Sequence, residues 1–156
     1  MTGSQSQSRK LRSAARFFAV QALFQMEALD AEMEKVAREF VSHRIGAEID
    51  GEQYVDADID HFRSLIRQAV KEQSKIDKLT DRALVAKWPI DRIDPTIRSI
   101  FRVAGAEMML SQTPPKVVIK EFVDITGAFF AEGREAKFVN AVLDHMAREI
   151  DPDAFA

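Results

Sequence analysis

Cationic and aromatic side chains occur near the start of the chain at spacings that would place them side by side on a helix. At about 100° per residue, three arginines share one side of this helix: Arg9, Arg12 and Arg16. A second apolar strip borders them: Phe17, Val20 and Phe24. Arginine neutralises phosphate and stacks on bases, and an aromatic ring gives a platform worth roughly 1–3 kcal/mol per base. The pattern is typical of a surface that binds single-stranded RNA.

The same residues allow two other interpretations. In one, Phe17 and Phe24 belong to the core and the arginines keep the end of the helix soluble. In the other, the aromatic strip is an interface between protein chains, such as a homodimer. Replacing Arg12 and Arg16 with alanine distinguishes the RNA-binding interpretation from these two, because RNA affinity should fall only if the arginines contact RNA.

Patterns typical of enzymes are missing from the sequence. It has no glycine-rich phosphate loop, no histidine pair at zinc-ligand spacing, no G-x-S-x-G elbow and no cysteine. The three histidines are scattered, at His43, His61 and His145, and suit surface or capping positions better than catalysis. We therefore expect a protein that is not an enzyme and needs no cofactor.

An acidic run imitates the opening of a calcium loop. Asp56, Asp58 and Asp60 have the right spacing, but His61 stands where the sharp turn needs glycine and Arg67 where a bidentate glutamate belongs. Helix capping explains the run more simply. No metal site is expected.

Charge is unevenly distributed along the chain. The net charge is −3, yet the first 26 residues carry four cations and no acid: Arg9, Lys10, Arg12 and Arg16. A basic end on an acidic protein indicates a localised, not a general, affinity for nucleic acid. With no apolar run of the ~18–20 residues that a membrane span requires, and no secretory signal, the expected location is the cytoplasm, without membrane contact.

Hydrophobic periodicity predicts an all-α protein of about seven helices with no β-sheet. Asp94 followed by Pro95 has the pattern of a helix N-cap and first helical position. Pro89 disfavours helical geometry at Trp88, so a helix should stop there. The predicted helices cover about residues 9–29, 31–41, 58 or 60 onwards, 76–87, 94–110, 113–130 and 135–150.

One domain is expected over residues 9–150, preceded by a disordered tail over residues 1–8, which are rich in serine and glutamine. The turn region at residues 88–94 is the best boundary between an N-terminal half, 9–88, and a C-terminal half, 94–150. Short connections indicate that the halves form one unit.

Four blocks, in order, resemble the NusB family. They are Arg16–Gln25, Ile93–Arg102 with Ala106–Met108, Pro115–Val123 and Lys137–Asp144. The last contains the lysine-phenylalanine-valine-asparagine signature and is the most specific. The resemblance covers about residues 9–148. It implies two perpendicular packed helical bundles that recognise boxA in nascent RNA, and a heterodimer with NusE, a small-subunit ribosomal protein, in the antitermination complex of RNA polymerase.

Carried over residue by residue, the resemblance also implies a set of contacts. Those to RNA fall on Arg12, Arg16, Gln21, Phe24, Lys137, Phe138 and Asn140. Arg134 is added although the loop around it differs from the family pattern, and Arg9 and Lys10 are added from charge alone. Glu107 resembles a glutamate that contacts NusE, with a local ion pair to Arg102 or Lys116 as the alternative. Phe138 lies one turn before Val142, so surface function and core packing both stay open for it.

Two departures from the family weaken the expected RNA affinity. Ser13 and Ala14 interrupt what is an unbroken arginine run in many members, and Phe24 replaces a common tyrosine. Fewer phosphate contacts predict weaker binding by the protein alone and a shallower salt dependence. Phe24 loses a hydroxyl but keeps the stacking face.

Two rival interpretations follow. A similar domain precedes some RNA cytosine methyltransferases, but the chain ends near Ala156 and lacks the cysteine for that chemistry. The other rival is a helical protein-interaction or dimerisation module without intrinsic RNA specificity.

Overall fold

In a computed structural model, the described residues, 2–46, 48–49, 52–53, 56–84 and 93–155, contain seven α-helices. They are α1 Thr2–Leu29, α2 Met33–His43, α3 Ile59–Lys71, α4 Gln73–Ala83, α5 Pro95–Leu110, α6 Pro115–Phe129 and α7 Gly133–Ile150, followed by a 3-10 turn at Pro152–Phe155. None of these helices is long and apolar enough to cross a bilayer. The predicted all-α class is confirmed.

The chain divides into two compact units, residues 1–67 and 68–156. This division differs from the boundary predicted at residues 88–94, because α4 packs against α5 and α7 and therefore belongs to the second unit. Helix α4 also ends earlier than predicted, since Leu84 is already extended. Lys87, Trp88 and Pro89, on which that prediction depended, lie outside the described residues.

Aromatic rings hold together the first unit. The ring of Phe40 on α2 packs edge-on against Phe18 of α1 at 6.3 Å between centroids and stacks with Phe62 of α3 at 5.8 Å. Small buried side chains, such as Ala15 and Ala19, let the other helices approach α1 closely. Because the middle of α1 is largely buried, its exposed side chains, among those that the structure describes, lie toward the two ends of the helix.

The start of α1 differs from prediction. The helix begins at Thr2, so most of the segment 1–8 that was expected to be a disordered tail is helical; Met1 lies outside the described residues. Helix elongation costs little once a packed segment has nucleated it, and glutamine, lysine and arginine are good helix formers. The basic residues at positions 9 and 10 thus project from a regular helix.

A short hairpin precedes α3 and modifies the prediction that there is no sheet. Its strands, β1 Glu48–Ile49 and β2 Glu52–Gln53, are antiparallel, with Glu48 paired to Gln53. The sequence between them, Asp-Gly, is typical of a two-residue hairpin turn. With two residues in each strand, the pairing leaves the helical class unchanged.

The acidic run after the hairpin caps α3. Asp58 Oδ1 accepts a hydrogen bond from the His61 backbone N–H at 2.9 Å, while the Asp58 backbone N–H donates to the Leu11 carbonyl at 3.0 Å. The capping interpretation is therefore confirmed for Asp58. Across the described residues, no group of three or more potential ligands could hold a metal ion.

Helix α5 is the central helix of the second unit and is buried along most of its length. Asp94 caps it as predicted, accepting a hydrogen bond from the Thr96 N–H at 2.7 Å. Gly105 permits a close helix crossing, because a Cβ atom there would lie 2.6 Å from Cγ2 of Ile76 and 3.3 Å from Cε of Met146. Helices α4 and α7 can approach α5 closely only because this side chain is missing.

Two ion pairs join the helices of the second unit. Arg102 on α5 donates two hydrogen bonds, at 3.0 and 2.9 Å, to the carboxylate of Asp77 on α4. Arg82 on α4 donates to Glu149 on α7, and these hydrogen bonds lower the pKa of the Glu149 carboxyl. Both pairs tie α4 to the second unit.

Candidate RNA-binding surfaces

Three cations at the start of α1 are accessible to a phosphate backbone. Arg9 and Lys10 are exposed and Arg12 is half-buried. Arg9, Arg12 and Phe24 fall within about 120° of the helix circumference and span roughly 22 Å along its axis. We call Arg9, Lys10, Arg12 and Phe24 the α1 surface. It offers positive charge at one end and an aromatic ring at the other.

Arg16 was predicted to contact RNA, but its side chain is only 2% exposed. Most side chains between Ala15 and Leu23 are buried, and Arg16 already has an interaction partner within the protein. A buried guanidinium is stable only when its hydrogen-bonding groups are satisfied. In this structure Arg16 is buried and its charge is not exposed at the surface.

The predicted aromatic strip divides into three environments. Val20 is fully buried and belongs to the core. Phe17 is half-buried and packs edge-on against Phe18 at 6.5 Å. Phe24 is 39% exposed. Of the three, Phe24 has the most open ring, while Gln21, one turn earlier, is half-buried.

A polar network beside Phe24 was not predicted from the sequence. Gln25 donates to Glu39 Oε2 and accepts from Arg44 NH2, both at 3.2 Å. The guanidinium of Arg44 also lies 4.5 Å from the ring centre of Phe40. These contacts join the end of α1 to α2 and its C-terminal turn, so Phe24 projects from a supported helix. Gln25 and Arg44 are 19 positions apart in the sequence, which hides the contact from any local pattern.

The second unit carries the other predicted RNA contacts on α7. Arg134, Lys137 and Phe138 fall within about 100° of the helix circumference, and all three are exposed. Asn140 is exposed as well, about 60° further round. We call these four residues the α7 surface. The Arg134 guanidinium lies 3.9 Å from Glu132 and 3.8 Å from Glu135, so nearby acids partly balance its charge.

Phe138 combines the two roles that the sequence left open. Its side chain is 36% exposed, yet its ring meets the buried ring of Phe101 on α5 with 6.0 Å between centroids and 61° between planes. One part of the ring is therefore packed, while another part faces solvent. Val142, one turn later, belongs to the core.

Glu107 was predicted to contact NusE, but it is only 1% exposed. Its Oε2 accepts a hydrogen bond from the Thr113 hydroxyl at 2.9 Å, across the turn between α5 and α6. Of the cations considered as alternative partners, Arg102 has a bidentate pair with Asp77. The hydrogen bond from Thr113 links Glu107 to the α5–α6 turn, and its contact with NusE stays a prediction.

Comparison with known proteins places the sequence among NusB proteins. The NusB family model matches residues 13–148. The transcription antitermination protein NusB of Maricaulis maris is 44% identical over 147 residues, covering 94% of this chain and 91% of that protein. The NusB of Agrobacterium fabrum is 42% identical over 144 residues, with 92% and 87% covered.

Solved structures share the fold. T. maritima NusB superposes with a TM-score of 0.74 and 29% identity, covering 92% of this chain and 96% of that chain. A crystal structure of the antitermination factors NusB and NusE in complex with dsRNA gives a TM-score of 0.75 at 23% identity, with 90% and 98% covered. The family match, the curated relatives and the helical architecture agree, and the chain belongs to the NusB family.

Proposed function

We propose that this protein is a cytoplasmic transcription antitermination factor, not an enzyme, that binds boxA single-stranded RNA together with NusE. Membership of the NusB family and the transcription antitermination proteins at 42–44% identity support this proposal. The solved complex of NusB and NusE with dsRNA, which shares the fold, is consistent with a shared RNA-binding role. The complex of protein, NusE and boxA would then join RNA polymerase during transcription.

The α1 surface is the observation that carries the proposal. Exposed cations can neutralise phosphates, and the open ring of Phe24 can stack on a base. The number of available cations is small, since positions 13 and 14 are uncharged and Arg16 is buried. Three cations would contribute a salt slope of only about −2 at roughly −0.7 per phosphate contact.

Such a small basic surface favours a division of labour between two proteins. A salt slope near −2 is too small for tight binding by phosphate contacts alone. NusE would supply the remaining contacts, so that the pair binds boxA more tightly than this protein does. Within this proposal, the α7 surface offers Phe138 for stacking and Lys137 for a phosphate.

A protein-interaction or dimerisation module is the second candidate. Leu29, at the end of α1, is 67% exposed, and Phe24 lies a little over one turn before it. Exposed apolar side chains near the end of a helix favour a contact between protein chains. A homodimer through this end of α1 would cover Phe24 and compete with RNA.

Phe24→Ala and Leu29→Ala form a matched pair that tests the two candidates. If Phe24 stacks on RNA, its replacement should weaken boxA binding by the protein–NusE pair about 5- to 150-fold, equivalent to roughly 1–3 kcal/mol. Leu29→Ala should leave the affinity unchanged. Fluorescence titration measures the affinity, and light scattering over a concentration series reports the oligomeric state. A dimer that both variants disrupt, with unchanged RNA affinity, would favour the second candidate.

A further inference from the structure

The buried ring beneath Phe138 has no assigned role in binding. Phe101 lies in the middle of α5, is fully buried and packs edge-on against Phe138 of α7. We propose that Phe101 is a positioning residue that orients the exposed ring of Phe138 for stacking on an RNA base. This inference rests on the proposed function, in which Phe138 contacts RNA.

The geometry explains how a buried residue can influence an exposed one. Aromatic pairs favour edge-to-face contacts, because the electropositive ring edge is attracted to the electronegative face of the other ring. The 61° angle and 6.0 Å separation between Phe101 and Phe138 fit this arrangement. The contact restricts the side-chain rotations of Phe138 while leaving over a third of its surface open.

Restricting a side chain before binding lowers the entropy that is lost on binding. A free Phe138 ring would populate several rotamers, and a base could stack on only some of them. Packing holds Phe101 in place, because Phe101 and Ile100 are fully buried. The next residue, Arg102, pairs with Asp77 of α4. Phe101 therefore supplies a fixed support.

A double-mutant cycle on RNA binding tests the proposal. The variants are Phe101→Leu, Phe138→Ala and the double variant, each measured with NusE and fluorescent boxA RNA. Phe101→Leu keeps an apolar side chain but removes the ring, and it should weaken binding about three- to tenfold, the range expected for losing the order of one side chain. In the Phe138→Ala background, the same change should have no further effect on affinity.

Phe122→Leu is the control for general destabilisation. Phe122 lies on α6 in the same unit and is also fully buried, and no ring contact with Phe138 is found in the described part of the chain. Both leucine variants should lower the melting temperature, but only Phe101→Leu should reduce RNA affinity. Phe101→Met also removes the ring, and its unbranched, flexible side chain adapts to irregular space in a core. It provides the same comparison if Phe101→Leu does not fold.

Three outcomes separate the possible failures. If Phe138→Ala weakens binding but neither Phe101 variant does, the positioning role is overturned and the proposed function stands. If Phe122→Leu weakens binding as much as Phe101→Leu, the effect is general loss of packing and the inference is again overturned. If Phe138→Ala binds boxA like the unmodified protein, the stacking role of Phe138 fails and the inference fails with it.

Discussion

Arg12 and Arg16 lie one turn apart on α1 but occupy different environments. Arg12 is half-buried next to the exposed cations Arg9 and Lys10, whereas Arg16 is almost fully buried. A charge near solvent can exchange its counterions for a phosphate. A buried charge instead stabilises the fold through the groups that satisfy it. The two residues should therefore respond differently to the same substitution.

Arg12→Ala and Arg16→Ala should separate RNA binding from stability. Arg12→Ala should reduce the slope of log affinity against log salt concentration by about 0.7, the value for one phosphate contact with a single strand, with little change in melting temperature. Arg16→Ala should lower the free energy of unfolding by roughly 1–3 kcal/mol, because it leaves buried partners unsatisfied, without changing the slope. Equal slopes for Arg12→Ala and the unmodified protein would contradict the assignment.

At the residue scale, sequence periodicity predicted exposure best where a helix has one covered face. The side of α1 that it assigned to Arg9, Arg12 and Arg16 is exposed at Arg9 but buried at Arg16. Periodicity assumes one apolar face, whereas the middle of α1 is buried on several sides. The family resemblance likewise indicated which type of residue contacts a partner, but not that Glu107 is enclosed in this chain.

At the scale of elements, Gly105 sets how closely α4 and α7 pack against α5. A Cβ atom at this position would overlap the Ile76 side chain at 2.6 Å, a separation that requires the helices to shift. Gly127 on α6 is a natural comparison, since nothing lies within 4 Å of a Cβ atom built there. One glycine is needed for packing, and the other only lowers helix propensity.

Gly105→Ala should destabilise the protein and Gly127→Ala should not. Overpacking at position 105 should cost about 1–3 kcal/mol, whereas alanine at position 127 should stabilise α6 by roughly 0.5 kcal/mol. Urea denaturation followed by circular dichroism measures both. Ile76→Ala should reduce the cost of Gly105→Ala, because it removes the overlapping methyl group. A Gly105→Ala variant as stable as the unmodified protein would show that the helices adjust without cost.

Helix positions were predicted well where a local signal exists. Asp94 and Pro95 marked the start of α5 correctly, because capping depends on adjacent residues. The two-residue strands β1 and β2 were not predicted, because strands this short carry no hydrophobic alternation. The assignment of α4 to the second unit depends on contacts such as Arg102 with Asp77, 25 positions apart, which no local pattern contains.

At the scale of the whole molecule, an acidic protein carries a small basic surface. The net charge is −3, and the cations of the α1 surface occur in a stretch of 26 residues without any acid. General electrostatic attraction to RNA should be weak, because the net charge repels phosphate. Specific binding therefore depends on aromatic stacking and on charge supplied by a partner. Tight binding of boxA should therefore require NusE.

The requirement for NusE can be measured by fluorescence titration. Fluorescent boxA RNA and a scrambled control RNA are each titrated with this protein alone and with NusE added. We expect the protein alone to bind boxA weakly. Once NusE is present, boxA should bind clearly more tightly than the scrambled RNA. Equally tight boxA binding with and without NusE would contradict the division of labour. If neither RNA binds under either condition, the chain is a helical interaction module and not an RNA-binding factor.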